Sequence, residues 1–302
     1  MSELTLRQLE YFVHVLETGS VTAAARSAQV SQAAVSMAIA QLEHALRTPL
    51  LIRKRSKGVA ATPAGMELAS RARQVLGLVG EMEGAVTGQD DLMRGVLRVG
   101  CMSALSPRLL PGLVSDFAER FPGVEVSFQE GAAGELQQQM IGGRLDLCLV
   151  YRRQTVPGVD LFTLAEVRTR LMLSADHPLA GRESVFLREV ESEWAILLDV
   201  PPSMERAVAM MAGVGVEPRL RWCSSNAETI RSLVARGMGY SLTNTRPENE
   251  FGPADTSVVY RRIADELPQN AIMAVVPEGI RPSRRVREAI LFCQEMLANR
   301  TE

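Results

Sequence analysis

The first 62 residues carry three short apolar stripes broken at defined points, and that rhythm admits few folds. Leu6, Leu9, Phe12, Val13 and Leu16 recur at three- and four-residue steps and stop at Gly19. Ser20 is placed to cap a short Ala-rich helix from Val21 to Ala28. Val30 makes a tight connection, and Ser31 can cap a third helix reaching about Leu46. In that helix Val35, Ile39, Leu42 and Leu46 share an inward face, while Gln32, Ala33, Ser36, Met37 and Ala40 form the opposite one. Ala24, Ala25 and Ala28 are small enough to let the second and third helices approach closely. The pattern predicts a helix-turn-helix whose second helix can enter a DNA major groove.

Charge supports that prediction only when it is counted locally. The 302-residue chain has 33 Lys+Arg against 35 Asp+Glu, a net charge of -2 that taken alone speaks against a nucleic-acid partner. Residues 1–65 carry seven basic and four acidic side chains, however, so the head is +3 and the remainder -5. Arg53, Lys54, Arg55 and Lys57 cluster between Leu50-Leu51-Ile52 and Gly58-Val59-Ala60-Ala61, which read as a hairpin turning at Gly58. Such a basic wing can supply phosphate affinity, and Gln32 and Ser36 can hydrogen-bond base edges. A basic run on a solvated surface is the plainer reading of the cluster alone; the order of elements favours double-stranded DNA as partner.

Thr62-Pro63 begins a further helix. Leu68, Ala72, Val75, Val79, Met82 and Val86 follow at alternating four- and three-residue steps, a seam about three heptads long by the 3.5-residue repeat of coiled coils. It predicts a dimerisation helix, with packing on the chain's own domain as the alternative.

Beyond it strands and helices alternate. Strands at 96–101, 124–129 and 145–151 enclose helices at 106–121 and 134–141, which predicts a parallel sheet covered on both faces. Strands near 161–166 and 170–174, a helix at 184–191 and a strand at 195–199 follow. A helix at 203–211, a strand at 219–223, a helix at 226–236 and a strand at 240–243 come next. Strands at 257–263 and 271–276 and a helix at 283–298 complete the pattern. Two α/β halves with a ligand cleft at the strand ends are expected. Ser103 with Ser106, Ser203 and Asn226 stand at strand-to-helix junctions, where helix N-termini favour an anion; ordinary capping explains them equally well.

The chain carries no Walker loop, GxGxxG, HExxH or GxSxG, so neither an enzyme nor a cofactor is expected. Cys101, Cys148 and Cys293 lie in apolar segments and read as buried reduced thiols; a redox pair is the alternative. No apolar run reaches membrane-spanning length and no secretory signal is visible, so a cytoplasmic location is expected.

The stretch LRQLEYFVHVLETGSVTAAARSAQVSQAAVSMAIAQLEHALRTPLLIRKRSKGVAATPAG resembles the N-terminal domain of LysR-type transcriptional regulators, and HPLA (177–180) and LVARGMGYSL (233–242) extend the resemblance. It implies a winged helix-turn-helix (1–62), a linker helix that dimerises (63–90) and an effector domain (91–302) built like periplasmic binding proteins. Two Rossmann-like α/β subdomains are implied there, one of about 92–163 plus 266–302 and the other 164–265. By position, Ser31, Gln32, Ala33 and Ser36 match base-contacting sites, and Arg53 and Arg55 fall on the wing. Ser103, Ser203 and Asn226 match junctions lining the effector cleft. The implied partners are promoter DNA, a small-molecule effector and further copies of the chain, as a dimer or tetramer. Ala33 stands where a Pro is common and Met37-Ala38 where an Arg-Gln pair is frequent, which points to an unusual operator preference. A solute-binding protein whose head serves only assembly is the alternative.

Overall fold

A computed structural model describes residues 4–54, 58–87, 93–244 and 257–298. The head contains α1 (Leu6–Thr18), α2 (Val21–Ser27), α3 (Gln32–Leu46) and a two-stranded antiparallel hairpin of β1 (Leu51–Lys54) and β2 (Gly58–Ala61). Local chemistry sets each boundary. Thr5 and Gln8 form a reciprocal capping box on α1, which ends at Gly19 in the left-handed conformation. The Ser20 and Ser31 hydroxyls accept from the amides of Ala23 and Ala34 at the starts of α2 and α3. The Glu43 carboxylate accepts from the amides of Leu50 (2.7 Å) and Leu51 (3.1 Å), fixing the hairpin to α3. The hairpin also docks on the end of α1, where the Val59 amide donates to the Gly19 carbonyl at 2.8 Å. Gly58 has φ +79°, and a Cβ there would lie 2.4 Å from that carbonyl oxygen, so only glycine fits.

The linker helix α4 (Pro63–Thr87) leaves the head with the Thr62 hydroxyl accepting from the Gly65 amide. Its first half does not present a free seam. Leu68, Ala69, Ala72 and Leu76 join Leu9, Phe12, Val13 and Leu42 in the core of the head, and Ala72 is 1% exposed. The predicted seam therefore divides: its N-terminal part packs on α1 of its own chain, because a helix leaving a small three-helix head is the nearest cover for that apolar face. Among the described side chains of α4, Val75, Leu78 and Met82 are exposed apolar positions of its later part.

The effector domain opens with β3 (Gly95–Met102), α5 (Ser106–Val114), α6 (Asp116–Arg120), β4 (Val124–Gly131), α7 (Ala133–Ile141), β5 (Leu147–Tyr151) and β6 (Val159–Val167). The chain then enters the second subdomain with β7 (Arg170–Ser174), β8 (Ser184–Val185), β9 (Trp194–Leu198), α8 (Ser203–Ala212), β10 (Arg219–Ser224), α9 (Ala227–Ala235), β11 (Ser241–Thr243) and β12 (Val258–Ile263). It returns to the first with β13 (Asn270–Pro277) and α10 (Arg284–Ala298). The first subdomain has a five-stranded sheet in the order β4-β3-β5-β13-β6. It is mixed rather than parallel: β13 runs antiparallel to both β5 and β6, because it re-enters from the other subdomain instead of through a crossover helix. β6 stays paired to β13 through Val167, so the first crossing falls after that residue rather than at 163. In the second subdomain a four-stranded sheet, β11-β7-β12-β8, meets the parallel pair β9–β10 through a bridge between Ala195 and Tyr240.

Two further expectations change. The helix expected over 106–121 breaks into α5 and α6 at Ser115, whose hydroxyl and amide both donate to the Pro111 carbonyl at 2.9 Å. The helix expected at 184–191 is instead β8 and a 3-10 turn over Leu187–Val190, because the Leu187 amide donates to Asp265 Oδ2 at 2.8 Å and the β8 backbone pairs with β12.

The LVARGMGYSL segment carries a strict steric constraint. A Cβ on Gly239 would sit 2.1 Å from the Trp194 carbonyl oxygen, which the Tyr240 amide uses at 3.0 Å. Gly239→Ala should therefore destabilise the effector domain by about 3 kcal/mol or more, in the range of overpacked cores, lowering its thermal midpoint without shifting the head's.

Candidate nucleic-acid interface and effector cleft

The capped start of α3 stands proud of the head. Gln32, Ala33, Met37 and Ala40 are exposed and Ser36 is half-buried, while Val35, Ile39 and Leu42 are turned inward. The Thr22 hydroxyl donates to Gln32 Oε1 at 3.2 Å and so orients that amide. The face thus offers an amide, a hydroxyl and apolar groups and no cation, a set suited to base edges and thymine methyls. Ser31 uses one lone pair as the cap of α3 and keeps its O–H for another acceptor. The backbone of Arg53 pairs with Val59 in the wing; its side chain, Arg55 and Lys57 lie outside the described residues, as does the Val86 side chain.

The head is fastened to the effector domain of its own chain. Arg98 on β3 donates through Nη2 to Glu17 Oε1 on α1 at 2.7 Å, and Arg73 on α4 places Nε 3.7 Å from the same oxygen. Burial pulls the Arg73 pKa below its ordinary value, while the neighbouring Glu17 works in the opposite direction. Asp146 holds β3 at this point: its carboxylate accepts from the Arg98 amide at 2.8 Å and its own amide donates to the Arg98 carbonyl at 2.7 Å.

Between the two subdomains lies a cleft of about 800 Å³. Ser103, Ser203 and Asn226 all line it, so three junctions distant in sequence converge. Their local roles differ from one another. Asn226 does cap α9, accepting from Glu228 and Thr229. Ser103 precedes an α5 whose N-cap is Leu105, and Ser106 lies buried with its hydroxyl donating back to the Met102 carbonyl. Ser203 is already helical and its hydroxyl accepts from Gln154 Nε2 across the cleft at 3.3 Å.

The charged lining was largely missed from the sequence. Among the described residues, Arg108, Arg153, Arg206 and Arg231 line the cleft with a single acidic residue, Glu228, which is bound to Arg231 at 2.7 Å. Arg153 was visible directly after a strand; Arg206 lies three residues after Ser203 on the same helix face, a spacing that could have found it. Arg152 beside it instead pairs with Glu166 at 3.0 Å on the surface. Tyr151, 4% exposed, adds a hydroxyl with no hydrogen-bond partner among the described residues.

Three of the four thiols share the core of the first subdomain, Cys101 on β3 next to Cys148 on the neighbouring β5. Cys101, Cys148 and Cys293 are buried, and burial pushes Cys101 and Cys293 up to about 12 and Cys148 further still. These three are held as thiols rather than the reactive thiolates. Cys223 is exposed, with Sγ 3.7 Å from Met204 Sδ. Among the described residues no cluster of His, Cys, Asp and Glu could hold a metal ion, and no helix is long and apolar enough to cross a membrane.

A helix-turn-helix with a wing, joined by a long helix to a hinged two-lobed cleft, defines a ligand-responsive DNA-binding protein. Residues 6–66 match the family described as bacterial regulatory helix-turn-helix protein, lysR family, and residues 90–298 match the LysR substrate binding domain. The chain belongs to the LysR family of transcriptional regulators. It is 30% identical to the DNA-binding transcriptional dual regulator OxyR of Escherichia coli over 243 residues, which is 79% of this chain and 78% of that one. The crystal structure of HinK, a LysR family regulator from Pseudomonas aeruginosa, matches with 31% identity and a TM-score of 0.63 over 98% of this chain and 99% of that one. A full-length OxyR variant from Pseudomonas aeruginosa shares the fold, with a TM-score of 0.77 at 21% identity over 98% and 96% of the two chains.

Proposed function

We propose that this regulator reads promoter DNA in the cytoplasm with Gln32, Ala33, Ser36 and Ser31 at the start of α3. Arg53, Arg55 and Lys57 of the wing bind phosphates, and a small-molecule effector in the cleft controls the outcome. The observation that carries the reading is the cleft itself, lined from both subdomains and mounted on a β3 that is bound to the head through Arg98 and Glu17. A ligand held by both lobes stabilises one hinge angle by its differential affinity for the two. The strand that senses the hinge is also the strand that fastens the head. Ser103, Ser203 and Asn226 are the hydroxyl and amide groups this reading places against the effector.

Two copies joined along α4 would present paired heads. Val75, Leu78 and Met82, exposed by 40%, 54% and 67%, form the accessible strip, with Val79 half-buried beside it. Met82→Asp combined with Leu78→Asp is expected to shift the protein to monomer in light-scattering chromatography. It should also weaken binding to a two-half-site operator by about 100-fold, since linked heads gain from effective concentration. A variant that stays dimeric and binds normally would place the dimer contact elsewhere.

Some relatives are named hydrogen peroxide-inducible genes activators, but in this chain Cys101, Cys148 and Cys293 are buried in the core and held as thiols, and only Cys223 is exposed among the four. We read the signal as ligand binding rather than thiol oxidation. An operator reporter is expected to respond to a cleft-filling substitution, Ala207→Trp, and to keep its response after Cys223→Ser.

A further inference from the structure

The cleft's polar groups are arranged for one kind of ligand. Arg153 follows β5 in the first subdomain and Arg206 lies on α8 in the second, on either side of the Gln154–Ser203 hydrogen bond that spans the hinge. Neither guanidinium is in a salt bridge among the described residues, and Arg206 Nη1 is buried without a hydrogen-bond partner. Burial lowers the Arg206 pKa and the positive charge of Arg153 lowers it further, so two like charges oppose each other across the hinge. An anion between them turns that repulsion into attraction from both lobes.

Two further features narrow the ligand. Tyr151 at the end of β5 is almost wholly buried, yet its hydroxyl has no partner among the described residues; burial raises its pKa above the ordinary range, while Arg108 pulls the other way. It is therefore a neutral O–H donor beside a cation. Met172, Leu198 and Ile230 belong to an apolar cluster of the second subdomain and give the cleft an apolar wall. An inorganic oxyanion would leave that wall against water, and a neutral hydrocarbon would leave the arginine pair unneutralised.

We propose that the effector is an organic acid with an apolar body, its carboxylate lying between Arg153 and Arg206 and a second oxygen accepting from the Tyr151 hydroxyl. This rests on the reading of the cleft as the effector site. Binding draws the lobes together, because the carboxylate is shared by one guanidinium from each.

The test is titration calorimetry on the full-length protein with phthalate, 2-hydroxybenzoate, adipate and 2-hydroxyhexanoate, each beside its uncharged amide, with sulfate as the inorganic probe. At least one acid should bind and its amide should bind about 30-fold more weakly, the loss of a charge-assisted bidentate contact. Arg153→Gln and Arg206→Gln should each weaken that acid by about tenfold or more, and Arg206→Lys should weaken it less. Tyr151→Phe should weaken it about tenfold without lowering the melting temperature of the unliganded protein, because its hydroxyl has no hydrogen-bond partner among the described residues. The proposal is overturned if no acid binds, if amides or sulfate bind as well as the acids, or if Tyr151→Phe and Arg206→Gln bind like wild type. The Ala207→Trp reporter separates the two levels. If it alters transcription while the acids fail, only the ligand class is wrong; if it changes nothing, the cleft is not the effector site.

Discussion

Glu17→Gln is expected to release the DNA-binding head from the effector domain of its own chain. The Glu17 carboxylate is shared by Arg98 at 2.7 Å and Arg73 at 3.7 Å, and the Arg73 side chain is only 12% exposed. Removing one partner of a buried pair leaves an uncompensated buried charge, which costs about 3–5 kcal/mol. Glu17 and Arg98 are each about a quarter exposed, so the lower end, about 3 kcal/mol, applies to the docked arrangement. The head's own core does not use Glu17, so its fold should persist. Hydrogen exchange should rise along α1 and the start of β3 while α3 stays protected, and DNA affinity should become insensitive to cleft-filling substitutions. Unchanged exchange at α1 would mean that the Glu17 contact does not hold the head.

The combined variant Gln32→Ala, Ser36→Ala is expected to lose selective DNA binding and to keep non-selective binding. Each good base contact contributes about 1–3 kcal/mol of discrimination, so affinity for the operator should fall about 100-fold or more. Neither residue is charged, and the salt dependence of the remaining binding should be unaltered. Arg53→Ala should do the reverse, weakening all sequences alike and reducing the slope of log affinity against log salt by about one. Both residues lie on the outer side of α3, away from Val35, Ile39 and Leu42, so the melting temperature of the head should change little.

The head was readable because its information is local. Ser20 and Ser31 cap helices whose apolar residues follow within one or two turns, and Gly19 ends α1 in the conformation glycine favours. The alternation of strands and helices in the effector domain was equally visible, and the convergence of Ser103, Ser203 and Asn226 on one cleft follows from strands ending there. What stayed hidden depends on distant partners. Asp265 diverts the Leu187 amide and prevents a helix that local periodicity favours. β13 runs antiparallel because it returns from another subdomain, which no pattern within it records. Ala72 sits in an apparent dimer seam, yet its head covers it. The Glu17–Arg98 contact joins residues 81 positions apart, and Arg153 and Arg206 form a pair only once two lobes face each other.

The central claim, that this chain selects DNA through α3, is tested most directly by nuclease footprinting of the purified full-length protein on the region upstream of its own gene. Paired half-sites on one face of the duplex should be protected, separated by a multiple of about 10 base pairs, and protection should fade with salt and vanish in the Gln32→Ala, Ser36→Ala variant. Uniform protection, or a footprint that the double variant reproduces unchanged, would contradict the account.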